Sequence, residues 1–119
     1  MKGIRLLVAL AAVSSGAAAH AHAFLDQAEP KVGSIVQGSP AEVRLQFSEA
    51  LEPAFSVIQV LDADGKSVDA GRAQVDAGQH DVLRLALPRL APGAYIVKWR
   101  AVSVDTHATE GRYPFTVRP

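Results

Sequence analysis

His22, Asp105 and His107 are the residues of this sequence whose types and spacing can do chemistry together. Met1–Ala21 reads as an export signal. Lys2 and Arg5 supply the positive start, Ile4–Val13 the apolar run, and Ala19-His20-Ala21 a small-x-small cleavage site. Cleavage after Ala21 makes His22 the first mature residue, with a free α-amine and an imidazole on the same residue. Far along the chain, Asp105-Thr106-His107 sets a carboxylate and an imidazole two positions apart. On an extended segment, such side chains point the same way with Cα atoms about 6.5–7 Å apart, so both can reach one ion. Three nitrogens and one oxygen make a donor set suited to Cu(II).

Each half of this constellation has a plainer reading by itself. Asp-x-His also describes a polar pair in a surface turn, and His22 a histidine near a chain end. Cleavage position is the critical assumption. A cut after Ala19 leaves His20-Ala21-His22, a terminus that can wrap Cu(II) with its amine, two backbone amides and the His22 ring, making Asp105 and His107 spare. A cut after Ala23 removes both early histidines.

Composition narrows the classes. The apolar run of the signal falls short of the about 20 residues a membrane-spanning helix needs. The chain is therefore expected to be exported and cleaved, not an integral membrane protein. Removal of 1–21 leaves 98 of the 119 residues, one small domain over 22–119. The signal takes Lys2 and Arg5 and no acid, so ten Lys and Arg face twelve Asp and Glu, a net charge of −2. With no basic excess to hold phosphates, nucleic acid is not an expected partner. There is no cysteine, which excludes disulfides, zinc-thiolate sites and cysteine nucleophiles, and the one methionine is Met1.

The elements that must position the candidate ligands are short alternating segments between turn signals. Strands are expected over 24–28, 42–47, 55–61, 72–75, 81–87, 94–102 and around 113–117. Residues 29–40, with two prolines and two glycines, read as a loop. In 42–47, Val43, Leu45 and Phe47 share a face. The mostly apolar run 55–61 suggests a strand covered on both sides. Leu83, Leu85 and Leu87 form one face, Tyr95, Val97, Trp99 and Ala101 another, and Tyr113, Phe115 and Val117 a third. Pro114 places its strand at an edge or at an irregularity. Leu90, Gly93 and Tyr95 fit a tyrosine corner. Ser48–Leu51 can form at most one helical turn. The fold class is all-β, an immunoglobulin-like β-sandwich or Greek-key barrel of about seven strands.

The stretch Trp99-Arg100-Ala101-Val102-Ser103-Val104-Asp105-Thr106-His107 resembles the Trp-Arg-Ala-Val-Ser-x-Asp-Thr-His signature of the CopC family of periplasmic copper-binding proteins. His22-Ala23-Phe24-Leu25, followed by Pro30 and Gly33, looks like the mature start of that family. Phe47-Ser48-Glu49 and Gly93-x-Tyr95-x-Val97-x-Trp99 match two further segments, so the resemblance spans nearly all of 22–119. It favours cleavage after Ala21. It implies a β-sandwich that binds Cu(II) through the His22 amine and ring, Asp105 and His107. It sets Glu49 beside the copper as an axial ligand, an acceptor for a ligand N–H, or a solvated charge at a strand end. The N–H acceptor is the favoured role, because histidine ligands usually need an acceptor on their other nitrogen.

Some family members carry a methionine-rich loop that binds Cu(I). Here the corresponding residues, 59–77, include Asp62, Asp64, Lys66 and Asp69 but no methionine. One Cu(II) per chain is therefore expected, with no Cu(I) methionine site. His80, beside Gly78 in a turn, reads as a solvated loop histidine, and Tyr95 and Trp99 as core.

The leading functional reading is a periplasmic, monomeric Cu(II) carrier, not an enzyme. As the resemblance implies, it serves copper resistance and hands the ion to an inner-membrane copper transporter of the CopD type. One rival is a copper mono-oxygenase, which also uses an N-terminal histidine and a second histidine. Against it, Asp105 takes the equatorial position that oxygen activation needs open, and no cluster of exposed aromatics is evident for a polysaccharide. A second rival is a metal-free structural sandwich. Ser/His/Asp hydrolysis is not supported, because Ser103, Asp105 and His107 lie within five residues of one another.

Overall fold

The computed structural model describes residues 24–69 and 71–119. The signal segment, His20 and His22 lie outside the described residues. Eight strands follow in order: β1 (Leu25–Glu29), β2 (Ile35–Gln37), β3 (Glu42–Phe47), β4 (Val57–Leu61), β5 (Gln74–Val75), β6 (Val82–Ala86), β7 (Gly93–Val102) and β8 (Ala108–Arg118). They form two four-stranded sheets, β1-β3-β6-β5 and β2-β8-β7-β4. All pairings are antiparallel except β2 with β8. The all-β sandwich is as expected, with one more strand than the sequence pattern suggests. The addition is β2, inside the segment read as a loop. Its three residues are too few for an alternating pattern, and it exists because Ile35, Val36 and Gln37 pair with Thr116, Val117 and Arg118.

The alternation maps onto the sheets directly. Val43, Leu45 and Phe47 of β3 are buried while Glu42, Arg44 and Gln46 face outward. Leu83 and Leu85, Tyr95 and Val97, and Tyr113, Phe115 and Val117 complete the space between the sheets. Trp99 and Phe47 pack edge to face, with ring centroids 5.1 Å apart at 70°. Tyr95 donates its hydroxyl to Ala91 O at 2.6 Å, closing the expected tyrosine corner.

Three local expectations are corrected. Strand β4 is covered on one face only: Ile58 and Val60 point inward while Val57 and Gln59 are exposed. Ser48–Leu51 is a bend with no helical turn. Pro114 is not on an edge strand, since β8 lies between β2 and β7. It is tolerated because its backbone faces the loop ahead of β2: Gly33 N–H donates to Pro114 O at 2.8 Å. The amide that proline lacks would point to that same side, so no bond of the β7–β8 ladder is lost.

Candidate metal centre

The long β7–β8 hairpin carries Asp105 and His107 at its tip. They do not sit on an extended segment, as the spacing suggested. Ser103–His107 is a tight loop in which Thr106 N–H bonds Ser103 O at 2.8 Å and Ser103 N–H bonds His107 O at 2.9 Å. A β-turn followed by one left-handed residue closes such three-residue hairpin loops. Thr106 is that residue, with φ 71°, in the left-handed region a β-branched side chain rarely adopts. The turn still brings the pair together: His107 Nδ1 lies 3.3 Å from Asp105 Oδ1, and each side chain is about half exposed.

Ser103 is the partner that reading the sequence for ligands missed. It is fully buried, and its hydroxyl donates to the same Asp105 Oδ1. This hydrogen bond is the main reason the Asp105 carboxyl is held below the ordinary aspartate value. The His107 backbone N–H and imidazole act in the same direction, against partial desolvation. The available signal was a serine two residues before an aspartate in a turn, a spacing at which a hydroxyl folds back on its own loop. The geometry also disposes of a hydrolytic relay. Ser103 directs its hydroxyl to the carboxylate and not to the imidazole, so no base is aligned on it.

The segment 48–56 braces this tip. Leu51 pairs with Ser103 in an isolated bridge. Val104 N–H donates to Ala50 O at 3.0 Å, and Glu52 N–H to Val102 O at 2.8 Å. The buried Ser56 hydroxyl accepts the Val102 N–H at 3.1 Å. On its other side the same segment holds the start of the described chain. Ser48 N–H donates to Phe24 O, and Phe24 N–H to Ser48 Oγ, both at 2.8 Å. Glu49, half-buried, lies between the residue tied to Phe24 and the residue tied to Val104.

Among the described residues, no three His, Asp or Glu side chains come close enough to share one ion. Asp105 and His107 therefore stand as a pair, and Glu49 does not complete a cluster with them. His80 is an exposed loop residue whose contribution is its backbone: His80 O accepts Leu51 N–H at 2.9 Å. No described helix is long and apolar enough to cross a membrane.

Comparison with known proteins converges on one family. Residues 25–118 match the CopC domain. The copper transport protein CutJ of Bacillus subtilis is 31% identical over 98 residues, which cover 82% of this chain but only 18% of that much longer protein. The crystal structure of CopC from Methylosinus trichosporium OB3b superposes with a TM-score of 0.78 at 44% identity, covering 82% of this chain and 95% of that one. PcoC, a methionine-rich copper resistance protein from Escherichia coli, gives a TM-score of 0.74 at 32% identity, covering 82% of this chain and all of that one. With the domain match running through both sheets and the Ser103–His107 loop, this chain belongs to the CopC family.

Proposed function

We propose that the exported chain binds one Cu(II) through the His22 amine and imidazole, the Asp105 carboxylate and the His107 imidazole. The observation that carries this reading is the Asp105–His107 pair, 3.3 Å apart at a half-exposed hairpin tip. An oxygen and a nitrogen donor already share one side of the loop there. Chain connectivity supports the remaining donors. His22 stands two positions before Phe24 in the sequence. Phe24 and Val104 are both hydrogen-bonded to the 48–50 bend. Glu49 in that bend is the acceptor for a ligand N–H, by its position between the two.

Copper is cargo in this reading. The protein sequesters or carries it in the periplasm as a monomer and passes it to a membrane transporter. Two neighbours named for copper transport and copper resistance support this class of role. The site is selective for Cu(II), because imidazole, amine and carboxylate hold Cu(I) weakly and Met1 is the only sulfur-containing residue. Reduction then loosens the ion for a partner with sulfur ligands. In this reading the protein is not a copper mono-oxygenase, because Asp105 would take the equatorial position that oxygen activation needs open. Ascorbate with peroxide should give no multiple turnovers.

Native mass spectrometry of the exported protein, with one equivalent of Cu(II), tests the assignment. A mass beginning at His22 plus one copper, with the copper lost in His22→Ala and in His107→Ala, is expected. A mass beginning at His20 with copper retained in His107→Ala would assign the ion to the terminus alone and overturn the four-donor site.

A further inference from the structure

We propose that the outer face of the β2-β8-β7-β4 sheet is a docking surface for an anionic lipid bilayer. The inference is independent of the copper ligands, because it rests on charge placement in the fold. Lys98 and Arg100 of β7 and Arg112 and Arg118 of β8 are all exposed on this face. They are four of the ten Lys and Arg that follow Ala21. Within the four strands of this sheet, Glu110 is the one Asp or Glu.

Register sharpens the point. Lys98 stands directly opposite Arg112, and Arg100 opposite Glu110. Like charges directly opposite one another destabilise an antiparallel pair, so folding alone gives no reason for the Lys98–Arg112 pairing. The other sheet behaves differently. There Arg84 bonds Glu42 at 3.0 Å and Asp76 at 2.7 Å, and Arg44 bonds Gln79 at 2.9 Å. Among the described residues, none of the four cations of the second face makes an ion pair.

The shape of the face favours a bilayer over a protein partner. The cations are spread along two adjacent central strands. Between Lys98 and Arg112 lies a shallow hollow of about 280 Å³ lined by Lys98, Trp99, Glu110, Gly111 and Arg112, and Arg118 borders a separate hollow with Gly38 and Leu90 at the end of β8. Exposed apolar residues sit on the two edge strands, Ile35 on β2 at 57% exposure and Val57 on β4 at 52%. A diffuse layer of lipid phosphates with an apolar boundary beneath matches that pattern. The chain after Ala21 is net negative, so its overall charge opposes such binding and the patch must supply it.

Cosedimentation of the exported chain with vesicles tests the proposal. One third phosphatidylglycerol in phosphatidylcholine should bind at low salt, release at high salt, and exceed pure phosphatidylcholine. Lys98→Glu with Arg112→Glu should lower binding at least about tenfold, while Lys31→Glu with Lys66→Glu, the same change of net charge elsewhere, should leave most of it. Lys98→Gln with Arg112→Gln, which relieves the like-charge contact, should also lose binding while keeping or raising the melting temperature. Equal losses in the two charge reversals would overturn the proposal. So would equal binding to both vesicles, self-association in place of vesicle binding, or inorganic phosphate shifting Lys98 and Arg112 resonances without vesicle binding.

Discussion

The two ends of the β7–β8 hairpin use the same device for opposite purposes. At the end where β7 begins, the buried Tyr95 spends its hydroxyl on Ala91 O, and Leu90 N–H is taken by Ser39 Oγ at 2.7 Å. Side-chain polarity there is consumed in closing the fold. At the far end, buried Ser103 also makes its hydrogen bond locally, but to a side chain, Asp105, which stays half exposed beside His107. Hydrogen bonding at the first end terminates structure. At the second it orients donors that still have lone pairs to give. The sandwich between them is what lets a loop with a left-handed threonine hold one shape.

The sharpest way to break the comparison is to remove a donor. His107→Ala should weaken Cu(II) binding by about 100-fold or more, since even partners of ligands cost 10–100-fold, and should leave the metal-free melting temperature unchanged. Isothermal titration and a thermal melt read the two effects. Next in size is a change between the two ends. A Cβ on Gly111 would lie 2.5 Å from Trp99 Cζ2, so Gly111→Ala should cost about 1–3 kcal/mol in stability by forcing the indole off Phe47. Denaturant unfolding measures it.

Ser103→Ala should lower Cu(II) affinity by about 10- to 100-fold with a small effect on stability, because it frees the carboxylate rather than deleting it. Tyr95→Phe should do the reverse, costing about 1 kcal/mol in stability without changing copper affinity. If the two serve the same purpose, each will move both quantities.

Proton linkage separates the donors further. The Asp105 carboxyl is held low by Ser103, so the stability its ionised form contributes is present above the ordinary aspartate value and is lost only as pH falls through the lowered one. If copper is held as proposed, its acid release should follow protonation of the nitrogen donors and not of the carboxylate. Copper binding should weaken on acidification, with protons taken up as the ion leaves. In Ser103→Ala the carboxyl titration, followed by NMR, should move upward.

Much of this was legible from the chain, and for physical reasons. Period-two alternation places Val43, Leu45 and Phe47 inside because a strand cannot turn one face inward without turning the other outward. The tyrosine corner was readable from Leu90, Gly93 and Tyr95 because a turn at that spacing returns the hydroxyl to the backbone. Strand β2 was not legible, since its pairing partner lies some eighty residues away and nothing local marks it. Pro114 misled because its cost depends on which neighbour its backbone faces, which only tertiary structure decides. At the candidate site, the Asp105–His107 proximity was anticipated but its geometry was not: a hairpin turn, not an extended strand, makes the contact. Ser103 escaped notice as a partner because a serine carries no metal signal of its own.

The central claim is that Cu(II) is held by donors from both ends of the mature chain. Electron paramagnetic resonance of the copper-loaded exported protein tests this most directly. The account predicts a Cu(II) centre with three equatorial nitrogens and one oxygen, absent from His107→Ala and altered in Asp105→Ala. A spectrum identical in the wild type and in both variants would contradict it.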